Sequence, residues 1–331
     1  MDVNKNLFLN KKIILGKVNT TKDEINRFKI TTDDILLTRT SETKKEIAYA
    51  SCLLDEVPNC VYSGFLLKAS PIKKELTCAP YITLLLHSPI YRNKLMKIST
   101  ETSRALINSD NLSRLNLLIP SITEQNKIFS LFSLLEIKIS NIESKIIVLK
   151  KYKEGFTKRL TKTLNNDVIA LSNICSITTG KMDANAMNPE GKYKFFTCSR
   201  EDYFIDTYAF DCEALLVSGN GEVGLTKYYN GKFNAYQRTY VLYNLKKNAK
   251  FIKLFIDLQI NTIIRKETNK GAMPYIRLTT FNKIIIPNID PSLEYLISIA
   301  IDKIDKKIEL LQNHARVLNN IKNNLLGSLF I

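Results

Sequence analysis

Two long stretches of the chain repeat apolar residues at steps of three and four, which is the spacing of a coiled-coil seam. The first, 122–160, has no proline and a single glycine, so it predicts one long helix. The second lies in 289–331 and repeats the apolar positions 169 residues further along. We expect the two helices to pair. The seam positions are Leu135, Ile139, Ile142, Ile146, Leu149 and Phe156, then Ile304, Ile308, Leu311, Ala315, Leu318 and Leu325.

Each helix follows an apolar run that closes with Ile-Pro, LNLLIP at 115–120 and NKIIIP at 282–287. Proline ends a strand and permits a helix to begin, so both runs predict a closing strand. Upstream, the repeat continues more faintly in short β-branched and aromatic runs, which predict strands. A helical stretch precedes each closing strand, at 80–97 and at 251–265. The repeat predicts an α+β class, twice over.

The predicted organisation is two globular domains separated by two long helices that form an antiparallel coiled coil. The domain boundaries follow from where the helical seams begin and end. They are 1–120 for the first globular domain, 121–165 for the first helix, 166–288 for the second globular domain and 289–331 for the second helix.

The charge balance changes this picture by pointing to a polyanion. Lys and Arg number 48 against 32 Asp and Glu, a formal net charge of +16. Residues 1–119 carry 18 basic and 12 acidic residues (+6), and 169–285 carry 16 and 10 (+6). An excess of positive charge shared by two similar domains suits a ligand with repeating negative charge, such as duplex DNA. The alternative is a generally basic composition without a nucleic-acid role.

Metal and membrane chemistry are not favoured by the sequence. The six cysteines show no CxxC spacing and only two histidines are present, so we expect buried thiols in a reducing compartment rather than a zinc site. We interpret His87 as a surface or packing residue and His314 as a solvent-facing residue of the helix. No apolar run reaches the roughly 18 residues of a membrane span, so the predicted location is the cytoplasm.

One motif resembles a nucleotide-binding turn, GNGEVG at 219–224. The dinucleotide fingerprint requires a helix directly afterwards and a carboxylate about 20 residues on. Aromatic and β-branched residues follow instead, and 240–250 contain no carboxylate. We therefore expect a glycine-rich turn between strands, with its backbone amides as candidates for phosphate contact. Walker, GxSxG and paired-histidine motifs are absent as well, so we expect a chain that is not an enzyme and carries neither cofactor nor metal.

Candidate DNA contacts are polar clusters at strand ends and turns, where side chains reach bases or phosphates. Arginine suits guanine, Gln and Asn suit adenine, and hydroxyls suit phosphate or either base. For any one of these residues a solvated turn is an equal alternative. The first domain offers Arg39, Thr40, Ser41, Glu42, Ser103 and Arg104. The second offers Thr179, Lys181, Thr197, Ser199, Arg200, Asn220, Gln237, Arg238 and Lys270.

The chain resembles the specificity (S) subunits of type I restriction-modification systems. The resemblance rests on the two helices, on LNLLIPSITEQNKI, on DILLTRTSETKKEIAYAS and NCVYSGFLL in the first half, and on TTGKMDANAMNPEGKYKFFTCSRE, IDTYAFDCEALLVSGNGEVG and GKFNAYQRTYVL in the second. These segments cover nearly the whole chain.

The resemblance implies two target recognition domains, each reading one half of a bipartite site in double-stranded DNA, with the helices acting as a ruler. It also implies two methyltransferase (M) subunits and restriction (R) subunits as partners. S-adenosylmethionine, ATP and magnesium would then belong to those partners, with no cofactor on this chain.

Two departures from the family pattern qualify this interpretation. The second domain opens with IALSNICSITTGK, for which the first domain has no equivalent, so the first domain looks shortened. The second helix has Pro291 and Ser292 where the first has Glu124 and Gln125. The alternatives are a half-functional specificity fragment, or a coiled-coil scaffold whose basic domains bind RNA or acidic protein.

Overall fold

The structure is a computed structural model that describes all residues except 1, 2, 4, 5, 12, 15, 102, 165, 166, 269–272 and 331. It divides into two compact units, Met1–Glu143 with Asn313–Ile331, and Ser144–Gln312. Each unit therefore contains a globular part and a portion of both long helices. The boundaries derived from the sequence set the helices apart from the globular parts, and they stay a prediction.

The first unit has a four-stranded sheet in the order β1-β4-β2-β5 and a three-stranded sheet in the order β3-β7-β6. Its strands are β1 Phe8–Leu9, β2 Ile35–Thr38, β3 Thr40–Ser41, β4 Ala50–Leu53, β5 Leu66–Ala69, β6 Thr100–Glu101 and β7 Ala105–Leu106. Its short helices are α1 Lys22–Phe28, α2 Ala79–His87, α3 Pro89–Ile98 and α4 Ser109–Ser113.

The long helices are α5, Ile122–Thr163, and α8, Pro291–Ser328. In the first unit, the Phe132 ring lies 6.3 Å from that of Phe330, just after the end of α8, and one turn later in α5 Glu136 accepts a 2.8 Å bond from Lys322 of α8. Because a step forward in α5 is a step back in α8, the two helices run antiparallel.

The second unit has a six-stranded sheet in the order β11-β10-β13-β12-β14-β9 and a two-stranded sheet, β15-β8. The strands are β8 Val168–Ala170, β9 Ser176–Thr179, β10 Tyr193–Phe196, β11 Tyr203–Ile205, β12 Phe210–Ser218, β13 Thr226–Ala235, β14 Thr239–Tyr243 and β15 Ile285–Pro287. The helices are α6 Ala249–Glu267 and α7 Leu278–Phe281.

Both faces of the central strand are buried in each unit. In β12, Leu215 and Val217 join the core against α6, and Ala214 and Leu216 join a second cluster on the other face. Alternate residues of a strand point to opposite faces, so a strand buried on both sides needs a continuous apolar run. The corresponding run in β2 divides in the same way between two clusters.

The seam residues of α5 and α8 are all buried or half-buried. Ile139, Ile142, Ile146, Ile308, Ala315 and Leu318 are buried, and Leu135, Leu149, Phe156, Ile304, Leu311 and Leu325 are half-buried. The one polar residue at a seam position of α5 is Lys153, and its ammonium bonds both carboxylate oxygens of Asp305 at 2.7 Å. An ion pair thus satisfies the charge where the apolar pattern is interrupted.

The start of each long helix is tied to the globular part by one buried side chain. Gln125 accepts from the Cys78 backbone N–H at 2.9 Å and donates to the Leu76 and Pro120 carbonyls, both at 2.9 Å. In the second unit Glu294 accepts from the Asn248 N–H at 3.2 Å and pairs with Lys247. Glu294 stands 169 residues after Gln125, the offset of the seams, so comparing Gln125 with Ser292 was wrong.

Three further sequence expectations need correction. The helical stretch 80–97 is two helices that meet at Ser88 and Pro89, since proline cannot continue α2. Of the six cysteines only Cys52 is buried, and the others are half-buried free thiols. Burial raises the pKa of Cys52 to about 12 and that of Cys175 to about 11, so neither is a thiolate at neutral pH.

The third correction concerns the closing runs. In the second unit the run ends in β15, which pairs with β8. In the first unit residues 115–120 form no strand. Within the described ranges, no helix is long and apolar enough to cross a membrane.

Candidate nucleic-acid interface

Five loops meet at one end of the six-stranded sheet of the second unit, joined by backbone hydrogen bonds. Gly180 N–H donates to Thr239 O at 3.1 Å, and Gln237 N–H donates to Met182 O at 2.9 Å. Gly219 N–H donates to Arg238 O at 2.9 Å, and Ile276 N–H donates to Gly219 O at 3.1 Å. Glu222 N–H donates to Cys198 O at 3.1 Å. We call loops 180–182, 197–200, 219–224, 236–239 and 275–277 the loop cluster.

The loop cluster contains, or directly adjoins, every second-half candidate that the structure describes. Thr179 is the last residue of β9, and Lys181, Arg200, Gln237 and Arg238 are exposed. Ser199 and Asn220 are half-buried. Lys270 lies outside the described residues. Side chains separated by up to about 60 positions in the sequence thus form one polar, net basic surface.

Two candidates are less available than the sequence suggested. Thr197 is 9% exposed, and its hydroxyl has no hydrogen-bond partner among the described residues. It can reach a ligand only if the loop opens. The Arg200 guanidinium donates to Glu222 at 3.0 Å, so part of its charge is neutralised within the cluster.

The GNGEVG segment is the turn between β12 and β13, as its sequence indicates. Gly221 and Gly224 have φ of +58° and +82°, which favours glycine. A Cβ on Gly219 would lie 2.6 Å from the Arg238 carbonyl oxygen, so only glycine allows this close approach. The amides of Gly219, Glu222, Val223, Gly224 and Leu225 all donate to protein carbonyls. The turn therefore shapes the cluster, and those five amides are not free for phosphate.

Sequence reasoning missed two contributors to the cluster. The Lys227 ammonium donates to the carbonyls of Arg200 and Glu201 at 3.0 Å each, which fixes the 197–200 loop. Arg277 is exposed and packs on the ring of Tyr275, with 4.9 Å from its Cζ atom to the ring centroid. The signal available in the sequence was an arginine two residues from a tyrosine in a proline-containing loop.

The first unit brings its candidates together in the three-stranded sheet. Thr40 and Ser41 of β3 pair with Leu106 and Ala105 of β7. The turn before β7 carries Ser103 and Arg104. Arg39, Glu42, Ser103 and Arg104 are exposed, and Thr40 is half-buried. Ser41 is buried, and its hydroxyl accepts from Thr43 N–H at 3.3 Å, so it supports the loop.

An arginine that sequence reasoning missed holds the loop that follows. The Arg92 guanidinium donates to the carbonyls of Lys45 at 2.9 Å, Ile47 at 2.6 Å and Ala48 at 3.3 Å. Its Cζ atom lies 4.7 Å from the centroid of the Tyr49 ring. Burial lowers the pKa of Arg92, yet a guanidinium stays charged at neutral pH. Arg92 therefore positions the segment after Glu42.

His87 has a packing role in the same unit. Its Nε2 lies 2.8 Å from the Ala50 carbonyl oxygen, and its ring packs against Tyr49 with 5.3 Å between centroids. Burial lowers the pKa of His87 to about 4, so the ring is neutral at physiological pH. In the part of the chain that the structure describes, no cluster of three or more His, Cys, Asp or Glu is placed to hold a metal ion.

The loop cluster lies inside a segment that matches a known family. Residues 164–320 match the model for the type I restriction modification DNA specificity domain. These residues belong to the type I DNA specificity family. The match confirms the resemblance seen in the sequence.

Two similar proteins extend the comparison. The specificity subunit of the Escherichia coli type I restriction enzyme EcoDI is 37% identical over 142 residues, 43% of this chain and 31% of that protein. The chain thus aligns with about a third of the length of this curated relative. The crystal structure of a type I restriction-modification S subunit from M. genitalium has a TM-score of 0.67 at 15% identity. It covers 100% of this chain and 90% of that chain, so the likeness of fold extends over both units.

Proposed function

We propose that this chain is the DNA specificity subunit of a type I restriction-modification complex. Each of its two globular units reads one half of a bipartite site in double-stranded DNA. The chain itself is not catalytic. It directs methyltransferase subunits, two in number, and restriction subunits, which bind S-adenosylmethionine, ATP and magnesium.

One observation carries the proposal, which is the loop cluster within the matched domain. Exposed Lys181, Gln237 and Arg238 lie on loops whose backbones are bonded to one another, so their positions are fixed before any ligand binds. A rigid surface that combines cations with amide side chains can contact phosphates and read bases at once. The matched EcoDI subunit is a specificity subunit by name, which agrees with this role.

The phosphate contribution is tested by equilibrium binding of the full chain to duplex DNA at several salt concentrations. Lys181→Ala should weaken binding to all sequences similarly and reduce the slope of log K against log salt by about 1, because one phosphate contact is lost. Lys192→Ala is the matched control, since Lys192 is exposed at the other end of β10. An equal loss in both variants would mean general electrostatic attraction without a defined surface.

Base reading is tested by selection from random duplexes in the presence of methyltransferase subunits. Wild-type protein should enrich a split motif. Gln237→Ala should relax the preference at one position of one half-site by about 1–3 kcal/mol and leave the other half-site unchanged. Enrichment of RNA or of no motif would overturn the proposal.

A further inference from the structure

The two units differ in what covers two of their backbone edges. In the second unit residues 167–179 form one continuous segment with two pairings. β8 pairs with β15, and β9 pairs with the outer edge of β14. Between them Leu171 and Ile174 are 0% and 2% exposed, in the same core as Ile286.

The first unit has counterparts of both covered edges but no strand on either. The counterpart of β15 is Leu117–Pro120, which closes the same Ile-Pro run, and the counterpart of β14 is β5. Among the described residues, β5 pairs only with β2, so it is the edge of its sheet. No described strand pairs with residues 117–120.

Side-chain exposure follows the same difference. Ile119 is 39% exposed, whereas its counterpart Ile286 is fully buried. In β14 Thr239, Val241 and Leu242 are buried, whereas β5 has no buried residue. Phe65, directly before β5, is 69% exposed. An open edge beside exposed apolar side chains is a template for strand addition.

A groove beside residues 117–120 has room for apolar side chains. It measures about 610 Å³ and is lined by Tyr81, Leu85, Tyr91, Leu118, Ile119 and Pro120 among others. The second-unit counterparts of Tyr81 and Leu85 are Phe251 and Phe255, 170 residues on, which share a core with Leu171 and Ile174. The second unit thus shows what kind of segment covers the position that is equivalent to this groove.

We infer that the first unit is a docking site for an extended segment of another polypeptide chain, of the kind that residues 167–179 form in the second unit. The occupant pairs with Leu117–Pro120, buries two aliphatic side chains in the groove, and then adds a strand to β5. Among the described residues, 167–179 is the one segment of this kind and it is already built into the second unit, so the occupant that we propose is a segment of a separate chain. This interaction does not depend on DNA binding.

The test uses the full chain and a peptide with the sequence of residues 164–181, and it measures backbone hydrogen exchange. The peptide at millimolar concentration should slow exchange in 66–69 and 117–120 by at least about tenfold. A peptide methylated on the backbone nitrogens of Ile169 and Thr178 is the control, because these two residues stand in hydrogen-bonded pairs with Ile286 and Val241 and the methylated peptide cannot complete either ladder. Ile119→Lys should abolish the protection, whereas Ile137→Lys, at an exposed position of α5, should not.

A free peptide binds a sheet edge weakly. A second arm of the experiment therefore links the peptide to the chain, which raises its effective concentration. The same 18 residues are fused ahead of the chain through a Gly/Ser linker of about 20 residues. The fusion should raise the midpoint of first-unit unfolding by at least about 5 °C and protect the same two edges. Protection of both edges in either arm supports the proposal. Absence of protection in both arms, protection confined to the second unit, or equal protection by the methylated peptide overturns it.

Discussion

The apolar run that ends in Ile-Pro before each long helix forms a strand in the second unit and no strand in the first. Residues 285–287 form a strand and Ile286 is fully buried, whereas residues 117–120 form no strand and Ile119 is 39% exposed. The local sequences are alike, so the difference comes from β8, which is present in one unit and has no described counterpart in the other. A strand is a property of a pair, and a sequence specifies it only together with its partner.

The largest expected effect concerns the side chains that tie down the long helices. Glu294→Ala removes the partner of Lys247, whose side chain is 11% exposed, and should cost about 3–5 kcal/mol of unfolding free energy because a buried charge is left unpaired. Gln125→Ala leaves only neutral groups unpaired and should cost about 1–3 kcal/mol. Denaturant unfolding followed by hydrogen exchange assigns each loss to its unit. Equal losses would contradict the distinction, and Glu294→Gln, which keeps the Asn248 contact, is the intermediate control.

The next effect tests the comparison of the closing motifs directly. Ile286→Ala should destabilise the second unit by about 2–5 kcal/mol, since it leaves a cavity in a closed core. Ile119→Ala should cost less than about 1 kcal/mol, since that side chain is already partly in water. The measurement is the unfolding midpoint of each unit. A large loss from Ile119→Ala would show that the first unit is as closed as the second.

The pH dependence of the unfolding free energy should differ between the two units, because the first unit contains the buried His87. Because the folded pKa of His87 is about 4, its contribution to stability is complete above the unfolded pKa of about 6.5 and is lost as the pH falls towards 4. The maximum loss is about 3 kcal/mol, all of it in the first unit. In His87→Gln this part of the pH dependence should vanish, because a neutral amide has no proton to gain. A profile unchanged in His87→Gln would assign the acid sensitivity to carboxylates.

The smallest effect concerns the ion pairs between α5 and α8, one in each unit. Double-mutant cycles on Lys153 with Asp305, and on Glu136 with Lys322, should each give coupling energies of about 0.2–1 kcal/mol. The ammonium of Lys153 bonds two carboxylate oxygens, so its coupling should be the larger and less sensitive to salt. The opposite order would mean that the interruption of the seam at Lys153 is not compensated by the ion pair.

Periodicity predicted the elements whose structure depends on local pattern. The long helices and the glycine turn at 219–224 were predicted from the sequence. Residues 115–120 could not be assigned, because their strand depends on a partner elsewhere. The equivalence of Glu294 and Gln125 was hidden by the different spacing between the Ile-Pro run and the helix start, and a buried hydrogen bond reveals it.

The candidate site was predictable as a set of residue types and not as a surface. The sheet order, which places the loops after β9, β10 and β12 beside the turn before β14, cannot be read from spacing. The burial of Thr197 and the pairing of Arg200 with Glu222 follow from that assembly. Arg92 and Lys227 were missed because they donate to backbone carbonyls. Every residue has a carbonyl, so the sequence does not show which of them accept a side-chain hydrogen bond.

The difference between the two units is tested most directly by native-state hydrogen exchange on the full chain alone. Opening of an unpaired edge requires little free energy, so the outward-facing amides of Lys68 and Ile119 should exchange at least about a hundredfold faster than those of Val241 and Ile286, which pair with β9 and β8. Equal protection in the two sets would contradict the account, because it would mean that both edges of the first unit are covered as they are in the second.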